Sequence, residues 1–377
     1  VLEVGFGSAV ITPSAQHWPI WLSGYGDRRD PAADVHDDLE VRVMVARSGS
    51  SMCALVVLDL MAMSNDWADA VRGGVAVALD LPVEHVLTQT VHTHSAPSTI
   101  TGTDALGWTV PHSWRAELVE RCCVAADRAL EALRPARLAF VRLALPAALS
   151  FNRRGHAYAP SYCVVDVLDA EVEARLGTIA NIGAHPVVLG PQNLRVSADW
   201  VGVCRREMER RLGGRALFVQ GCQGDVDPQG MTWTSDSDAA FAAVERVGED
   251  MALAVVAAAA VANPVPGDEV QVATRSLKLD CSGSPMAAIT RRDTVDVDLF
   301  DYSIGGVRFV SIPGEGFAEL GTRVVASRAP TPTVLFGFAP HWLGYLPVPY
   351  TDGYEEGLSY GEATVDAIAR ALEIVAS

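Results

Sequence analysis

Three short runs in this 377-residue chain carry side chains that could hold a metal ion: His92-Thr93-His94-Ser95, Ala184-His185-Pro186 and Pro313-Gly314-Glu315. Each sets an imidazole or a carboxylate beside a turn-forming residue, at the end of an apolar run that reads as a strand. Two imidazoles and a carboxylate, with a fourth position open or weakly filled, make up the donor set of catalytic zinc. No two of these runs are neighbours in sequence, so only the fold brings them together. A metallohydrolase is the leading expectation.

Each run also has a plainer reading. On a strand, His92 and His94 would face the same side, and such a pair can simply be satisfied polar groups at a sheet edge. A strand-terminal His-Pro occurs in ordinary turns, and Glu315 suits the first turn of a helix, where the macrodipole favours a carboxylate. The shared context weighs against coincidence, because strand ends converge in a layered α/β protein and sites form there. A rival nucleophile is Cys222 in Gln220-Gly221-Cys222-Gln223-Gly224, a Gly-flanked thiol at a strand end. Against it, small residues surround many inert buried cysteines.

The elements that must position these residues alternate along the N-terminal two thirds. Glu3 to Thr12, Leu39 to Ala46, Cys53 to Leu60 and His85 to Val91 read as strands, as do Ala139 to Leu149, Tyr162 to Leu168, Gly177 to Gly183 and Ala216 to Gln220. Leu39 to Ala46 alternates as a half-buried strand does, and Cys53 to Leu60 is continuous enough for a central one. Helices are predicted from Ser64-Asn65-Asp66 to Leu79, from Ser113 to Leu133, after Asp199, over Asp238 to Ala262 and from Gly361 to Ala376. In the helix after Asp199, Arg205, Arg206, Arg210 and Arg211 are expected on the wet side. The last third turns to antiparallel patterning over Glu269 to Leu279 and Val295 to Ile312, with Gly305-Gly306 as a hairpin turn. The polar segment 282–294 between them is the candidate lid. The expected fold is therefore α/β, with layered sheets flanked by helices in one compact domain spanning 1–377.

Composition narrows the function class. Apolar residues make up 49% and charged residues 20%, as in a folded globular protein, and the formal charge is −17. Phosphate binding needs clustered Lys and Arg, so nucleic acid is not an expected partner, nor is an anionic membrane surface. The apolar run from Met251 to Ala262 is too short to span a bilayer. Gly5-Phe6-Gly7 lacks the third glycine and following helix of a dinucleotide fingerprint. Val1 opens directly on strand-like sequence with no basic n-region. Seven scattered cysteines without Cys-x-x-Cys spacing fit reduced thiols in a cytoplasmic protein.

In order along the chain, Val10-Ile11-Thr12-Pro13, Gly24-Tyr25-Gly26, His92-Thr93-His94-Ser95, Asn152-Arg153, His185-Pro186, Ser197-Ala198-Asp199, Gly224-Asp225-Val226, Pro313-Gly314-Glu315, Gly344-Tyr345 and Tyr354-Glu355 resemble the catalytic domain of the neutral/alkaline, non-lysosomal ceramidases. They span almost the whole chain. The resemblance implies one zinc ion per chain, held by His92, His185, Glu315 and the phenol oxygen of Tyr345, a residue that otherwise reads as a packed aromatic. It also implies that His94, Arg153 and Tyr354 bind and polarise the scissile carbonyl. Zinc-bound hydroxide at neutral pH would then attack an amide, with His94 protonating the departing amine. A His/His/Glu/Tyr set also accepts iron, cobalt or manganese. Asp59, Asp199, Asp225 and Asp227 are candidates to support the ligands or touch substrate.

The chain also departs from that family. Where ceramidases read Gly-Asp-Val-Ser-Pro-Asn, it has Gly224-Asp225-Val226-Asp227-Pro228-Gln229, so a mechanism needing that serine is out of the question. Asp227 adds a carboxylate that could orient a ligand or contact a substrate amine, or simply be a solvated turn residue. Ceramidases proper are longer, with a β-rich C-terminal domain and a secretory route, which points here to a soluble N-acyl amine used in biosynthesis rather than ceramide in a bilayer. The expected function is zinc-dependent amide hydrolysis. Ester or lactone hydrolysis, amide formation or cyclisation at the same site, a non-catalytic binding role and Cys222 chemistry are the alternatives. The loop from Trp18 to Asp30 and the segment 282–294 are expected to shape the pocket.

Overall fold

Alternating apolar residues in the first strands send side chains to two faces, and both faces are covered. In the strand Glu40–Ser48, Val41, Val43 and Val45 pack beneath the helices Asn65–Ala78 and Arg115–Glu131. Met44 and Ala46 enter a second cluster shared with Phe300, Tyr302 and Phe309. The expected half-buried strand is thus buried along its middle, because layers lie on both sides. The computed structural model describes residues 1–101, 109–155 and 161–374.

These strands belong to a nine-stranded sheet whose order runs Arg215–Gln220, Arg175–Ile182, Ser161–Asp169, Arg134–Ala144, Leu2–Val10, Glu40–Ser48, Ser51–Leu58, Val86–Thr90, with Asn263–Val265 alongside Arg134–Ala144. Its interior pairs are antiparallel, whereas the pair at each end is parallel. A four-stranded sheet follows, Val270–Asp280, Thr294–Ile304, Val307–Ile312 and Thr333–Gly337, its last pair again parallel. Gly305 and Gly306, with φ of 53° and 81°, make the predicted hairpin turn. The helices Ala318–Ser327 and Glu362–Glu373 contribute Leu320, Val324, Ile368 and Leu372 to a third cluster, with Val297, Val310 and Leu335 of this second sheet. The architecture is α/β, with layered sheets flanked by helices.

The parallel pairs decide where chemistry can occur. Strands 86–90, 175–182, 215–220, 307–312 and 333–337 run into His92, His185, Asp225, Glu315 and Phe338 respectively. Their ends meet at a seam that no backbone ladder closes. Gln89 Nε2–H donates to Gln220 O at 2.8 Å and to Gly337 O at 2.7 Å, while Gln220 N–H donates to Gln89 Oε1 at 3.1 Å. Asn181 does the same one strand over: its amide donates to Val219 O and Leu335 O and accepts from Leu335 N. All these groups are buried, where an unpaired carbonyl or amide is costly.

Several sequence expectations need correction. Arg205 is not on the wet side of the helix Asp199–Leu212: its side chain is 2% exposed and makes two 2.6 Å bonds to Asp59, which is fully buried. Arg206 and Arg210 are exposed as predicted. The strand expected at Ala139 to Leu149 runs instead over Arg134–Ala144, since Pro135 fits an extended chain directly after the helix and Pro146 ends it. Ser113 does not cap the helix Arg115–Glu131; a single 3-10 turn precedes that helix, and Ser113 Oγ lies 3.0 Å from His17 Nδ1. The segment 282–294 holds a short helix, Pro285–Thr290, whose Met286 and Ala287 are buried.

Replacing Gln89 with methionine keeps the shape and removes the seam's donors and acceptor. The expected cost is about 2–4 kcal/mol of unfolding free energy, read by chemical denaturation. Exposed Arg206→Ala should change stability by less than about 0.5 kcal/mol.

Candidate metal centre and active site

His92 follows the edge strand Val86–Thr90 and has a left-handed φ of 73°. A non-glycine residue in that region is strained and persists only when its surroundings hold it there. They do: His92 N–H donates to Leu60 O at 2.9 Å, and its ring stacks on Phe338 at 4.2 Å. The two histidines therefore sit beyond the strand, on a turn, and it is the turn that places His94 Nε2 3.1 Å from His92 Nε2. His185 follows the strand Arg175–Ile182, and its loop is held by Asp199, another left-handed residue with φ of 54°. The Asp199 carboxylate accepts from the backbone N–H groups of Val188, Leu189 and Trp200, and Trp200 Nε1–H donates to His185 O at 3.0 Å.

Glu315 comes from a different kind of element. The two-residue strand Glu315–Gly316 pairs in parallel with Tyr345–Leu346, opposing Glu315 directly to Tyr345. Gly314 and Gly344 make this approach possible, because a side chain on Gly314 would come within 2.4 Å of Gly344 O. Glu315 Oε1 accepts from Trp342 Nε1–H at 2.9 Å, which leaves Oε2 3.4 Å from both His92 Nε2 and His185 Nε2.

The far side of each imidazole fixes its tautomer. His92 Nδ1 lies 2.7 Å from Met61 O, and His185 Nδ1 lies 3.0 Å from Val226 O. A carbonyl can only accept, so each Nδ1 carries the proton and each Nε2 presents a lone pair. The 3.5 Å approach of the Arg153 guanidinium to His185 Nδ1 cannot reverse this, since the carbonyl is closer. Two lone pairs thus face a carboxylate oxygen, in a buried pocket with no proton between them. That arrangement is repulsive unless a cation sits among the three atoms, and imidazoles oriented by carbonyls are the usual setting of metal ligands. The ring nitrogens of His92, His94 and His185 all lie within 4.8 Å of one another. The donors present fit a divalent ion. Burial depresses His92, and depresses His94 strongly, which keeps both rings neutral.

Around this centre lies a cleft of about 610 Å³, lined among others by Tyr25, Met61, Arg153, Trp233, Trp342 and Tyr354. Tyr345 Oη is 3.3 Å from Tyr354 Oη; burial first, and then Glu315, push the Tyr345 phenol well above its ordinary value. Arg153 is nearly saturated by the protein. Its Nε and Nη2 donate to Glu355 Oε1 at 3.1 and 3.0 Å, Nη2 also to Gly224 O, and Nη1 to Asp227 Oδ1 at 3.1 Å. Pairing of Val226–Pro228 with Ser150–Asn152 brings Asp227 to this guanidinium. From the other wall, Gly24 packs on His94 so closely that a side chain there would meet the ring at 2.4 Å, and Gly24 has φ of 104°.

Of the residues singled out in the sequence, His92, His94, His185, Glu315, Tyr345, Arg153, Tyr354 and Asp227 all line this cleft. Asp225 stands behind it: Oδ1 accepts from Ala318 N–H, Oδ2 from Asn152 Nδ2–H, and its carbonyl from Arg153 N–H. It thereby ties the Arg153 turn to the Glu315 segment. Asp199 likewise acts from behind, through the His185 loop. Asp59 is the exception: its carboxylate is taken by Arg205 and by Glu40 N–H at 2.9 Å, so it supports neither a ligand nor substrate directly. Of the two regions expected to shape the pocket, the 18–30 loop does so through Gly24, Tyr25, Gly26 and Asp27, whereas no residue of 282–294 lines it. Trp342, Trp233 and Glu355 were missed, because a tryptophan or a second carboxylate in a loop carries no local mark of its partner.

The fold is that of a ceramidase catalytic domain. The chain superimposes on the crystal structure of neutral ceramidase from Pseudomonas aeruginosa with a TM-score of 0.81 at 17% identity, covering 99% of this chain and 73% of that one. A ceramidase complexed with C2 gives 0.78 at 16% identity, covering 98% and 74%. No protein-family model and no curated protein matches the sequence.

Trp342→Phe should weaken divalent-metal binding about tenfold, as loss of a ligand-orienting hydrogen bond does, while His92→Ala abolishes it. Metal content by mass spectrometry and titration with a chelating indicator measure both. Gly24→Ala should displace His94 without removing the metal, seen as retained metal content in a protein that has lost most of its activity.

Proposed function

We propose that the chain is a metal-dependent hydrolase of an amide bond in a soluble N-acyl amine, with zinc the ion its donors favour. The observation that carries this is the meeting of two Nε2 lone pairs and one carboxylate oxygen in a cleft lined largely by aromatic and apolar side chains. His92, His185 and Glu315 would hold the ion, with Tyr345 at the next position. A divalent ion there supplies Lewis-acid activation of water and of a carbonyl.

The remaining steps belong to the chain itself. His94 is half-buried, lies 3.1 Å from His92 and is kept neutral by burial, so it can accept a proton from water and return it to the departing nitrogen. Tyr354, a phenol whose pKa burial raises, stays protonated and can donate to the developing oxyanion. Arg153 has one N–H left for the same purpose; its charge is held by burial-resistant pairing with Asp227 and Glu355. The likeness in fold to ceramidases supports an amide substrate, and Asp227 in place of a serine leaves the metal-centred route as the one these residues can perform.

Cys222 does not compete. It is buried among Gly316, Gly321 and Leu320, and burial pushes its thiol up to about 12, which leaves almost no thiolate at neutral pH.

Screening short N-acyl amines with the zinc-loaded chain tests the reading. Glu315→Gln should lower kcat/KM at least about a hundredfold, and Cys222→Ala should leave it within about twofold of the parent. An active chelated enzyme, or a dead Cys222→Ala that still binds metal, would overturn the assignment.

A further inference from the structure

The cleft carries more negative charge than the proposed chemistry uses. Its charged lining residues are Asp27, Asp227, Glu315 and Arg153. Glu315 is committed to the imidazoles. Arg153 has four of its five N–H groups bonded to the protein, to Asp227, Glu355 and Gly224 O, and Glu355 is paired with Arg154 as well, at 2.6 Å. Asp227 meets it through Oδ1 alone, so Oδ2 has no partner among the described residues. Asp27, which also lines the cleft, is exposed and has no ion-pair partner among the described residues.

Aromatic rings line the same cleft. Tyr25 and Trp233 meet edge to face at 5.9 Å, and Tyr354 faces them across the cleft lining. Trp233 remains 47% exposed although Val187 O anchors its Nε1–H at 2.8 Å, and an ordered, exposed indole at a cleft mouth is a surface for a ligand. One face of Tyr25 already takes a cation, the Arg28 guanidinium at 5.0 Å, which the carbonyls of Ser23, His94, Gly190 and Pro191 fix in place. The Tyr25 hydroxyl is itself buried with no hydrogen-bond partner among the described residues, an omission that costs free energy unless a bound molecule supplies one, and its oxygen can accept from an N–H donor.

We infer that the cleft selects N-acyl amines whose amine portion carries a second, protonated nitrogen, held by Asp227 and Asp27 against the Tyr25–Trp233–Tyr354 wall. This rests on the amidase reading of the metal end and adds the substrate class. A hydrocarbon chain would bury Asp227 Oδ2 without a donor, and a neutral alcohol would supply a donor but no charge. An ammonium instead satisfies it and gains from the ring faces. The chain's overall charge of −17 raises the local concentration of such cations as well.

The test compares N-(5-aminopentyl)acetamide with N-hexylacetamide, in which a methyl replaces the ammonium, by calorimetric binding to the zinc-loaded chain and by turnover. The cation should bind about tenfold more tightly, and the advantage should shrink in 1 M salt, as screening requires. Asp27→Asn, at an exposed position with no ion pair to the protein among the described residues, should remove part of the cation's advantage over N-hexylacetamide. Asp227→Asn should remove more, but it also loosens Arg153, which is why the Asp27 variant and the salt series are needed. Equal binding of the two amides, or tighter binding of the neutral one, overturns the inference even if both are hydrolysed. Preferential binding of the cation with neither amide hydrolysed upholds it and counts against the amidase reading alone.

Discussion

The site depends first on the seam at which strands from two sheets end without pairing. Strand ends are useful because a chain leaving a sheet can turn its next side chain in any direction, but they leave backbone groups unpaired where sheets meet. Here Gln89 and Asn181 solve both problems. Each amide donates to carbonyls of two different strands and accepts from a third group. The registers of the large and small sheets are thereby locked together within three residues of His92 and four of His185. Without that lock, ligands drawn from residues 92, 185 and 315 would have no common frame.

On this frame the orientation of each ligand is over-determined. His92 has its backbone tied to Leu60 O and its Nδ1 to Met61 O, while Phe338 lies flat on its ring. Glu315 is steered by Trp342. Such support is what holds His92 and Asp199 in left-handed conformations that their side chains disfavour. Preorganisation of this kind matters for a metal site, since ligands that must be assembled on binding lose affinity to their own ordering. The buried Asp59–Arg205 pair belongs to the same scheme at one remove. It pins the chain just before Leu60 and Met61, the two residues whose carbonyls hold His92.

The residues that meet in the cleft were readable from sequence because each candidate donor is a rare residue type at a strand end beside Gly or Pro, and strand ends were themselves legible as apolar runs. Tyr345 and Trp342 were not. A tyrosine or tryptophan in a Pro- and Gly-rich loop reads as packing, and only the parallel pairing of Tyr345 with Glu315 gives it a role; for Tyr345 a resemblance supplied what periodicity could not. Arg205 misled for a different reason. Charge on a helix predicts solvent, and its partner Asp59 lies 146 positions away in a strand turn. Likewise the 282–294 segment is polar, as a lid would be, yet two apolar residues, Met286 and Ala287, suffice to bury one face of its helix.

Asp227 shows how one substitution relative to the ceramidase pattern redistributes roles. A hydroxyl at that position would leave Arg153 with more of its charge and more of its N–H groups facing the cleft. A carboxylate takes one of those groups, and Glu355, itself shared with Arg154, takes two more, so in the proposed mechanism donation to an oxyanion would fall chiefly to Tyr354. Tyr345 is ill suited to that task if it also binds metal, since burial and Glu315 already resist its ionisation and only a cation could reverse them. Tyr354, 61% exposed and 5.5 Å from the Arg153 guanidinium across its ring, has its pKa raised by burial and would keep its proton. The division that results is a buried phenol on the strand paired with Glu315 and a more exposed one at the mouth, with Arg153 tying Asp227 to Glu355 and keeping a single N–H for the cleft.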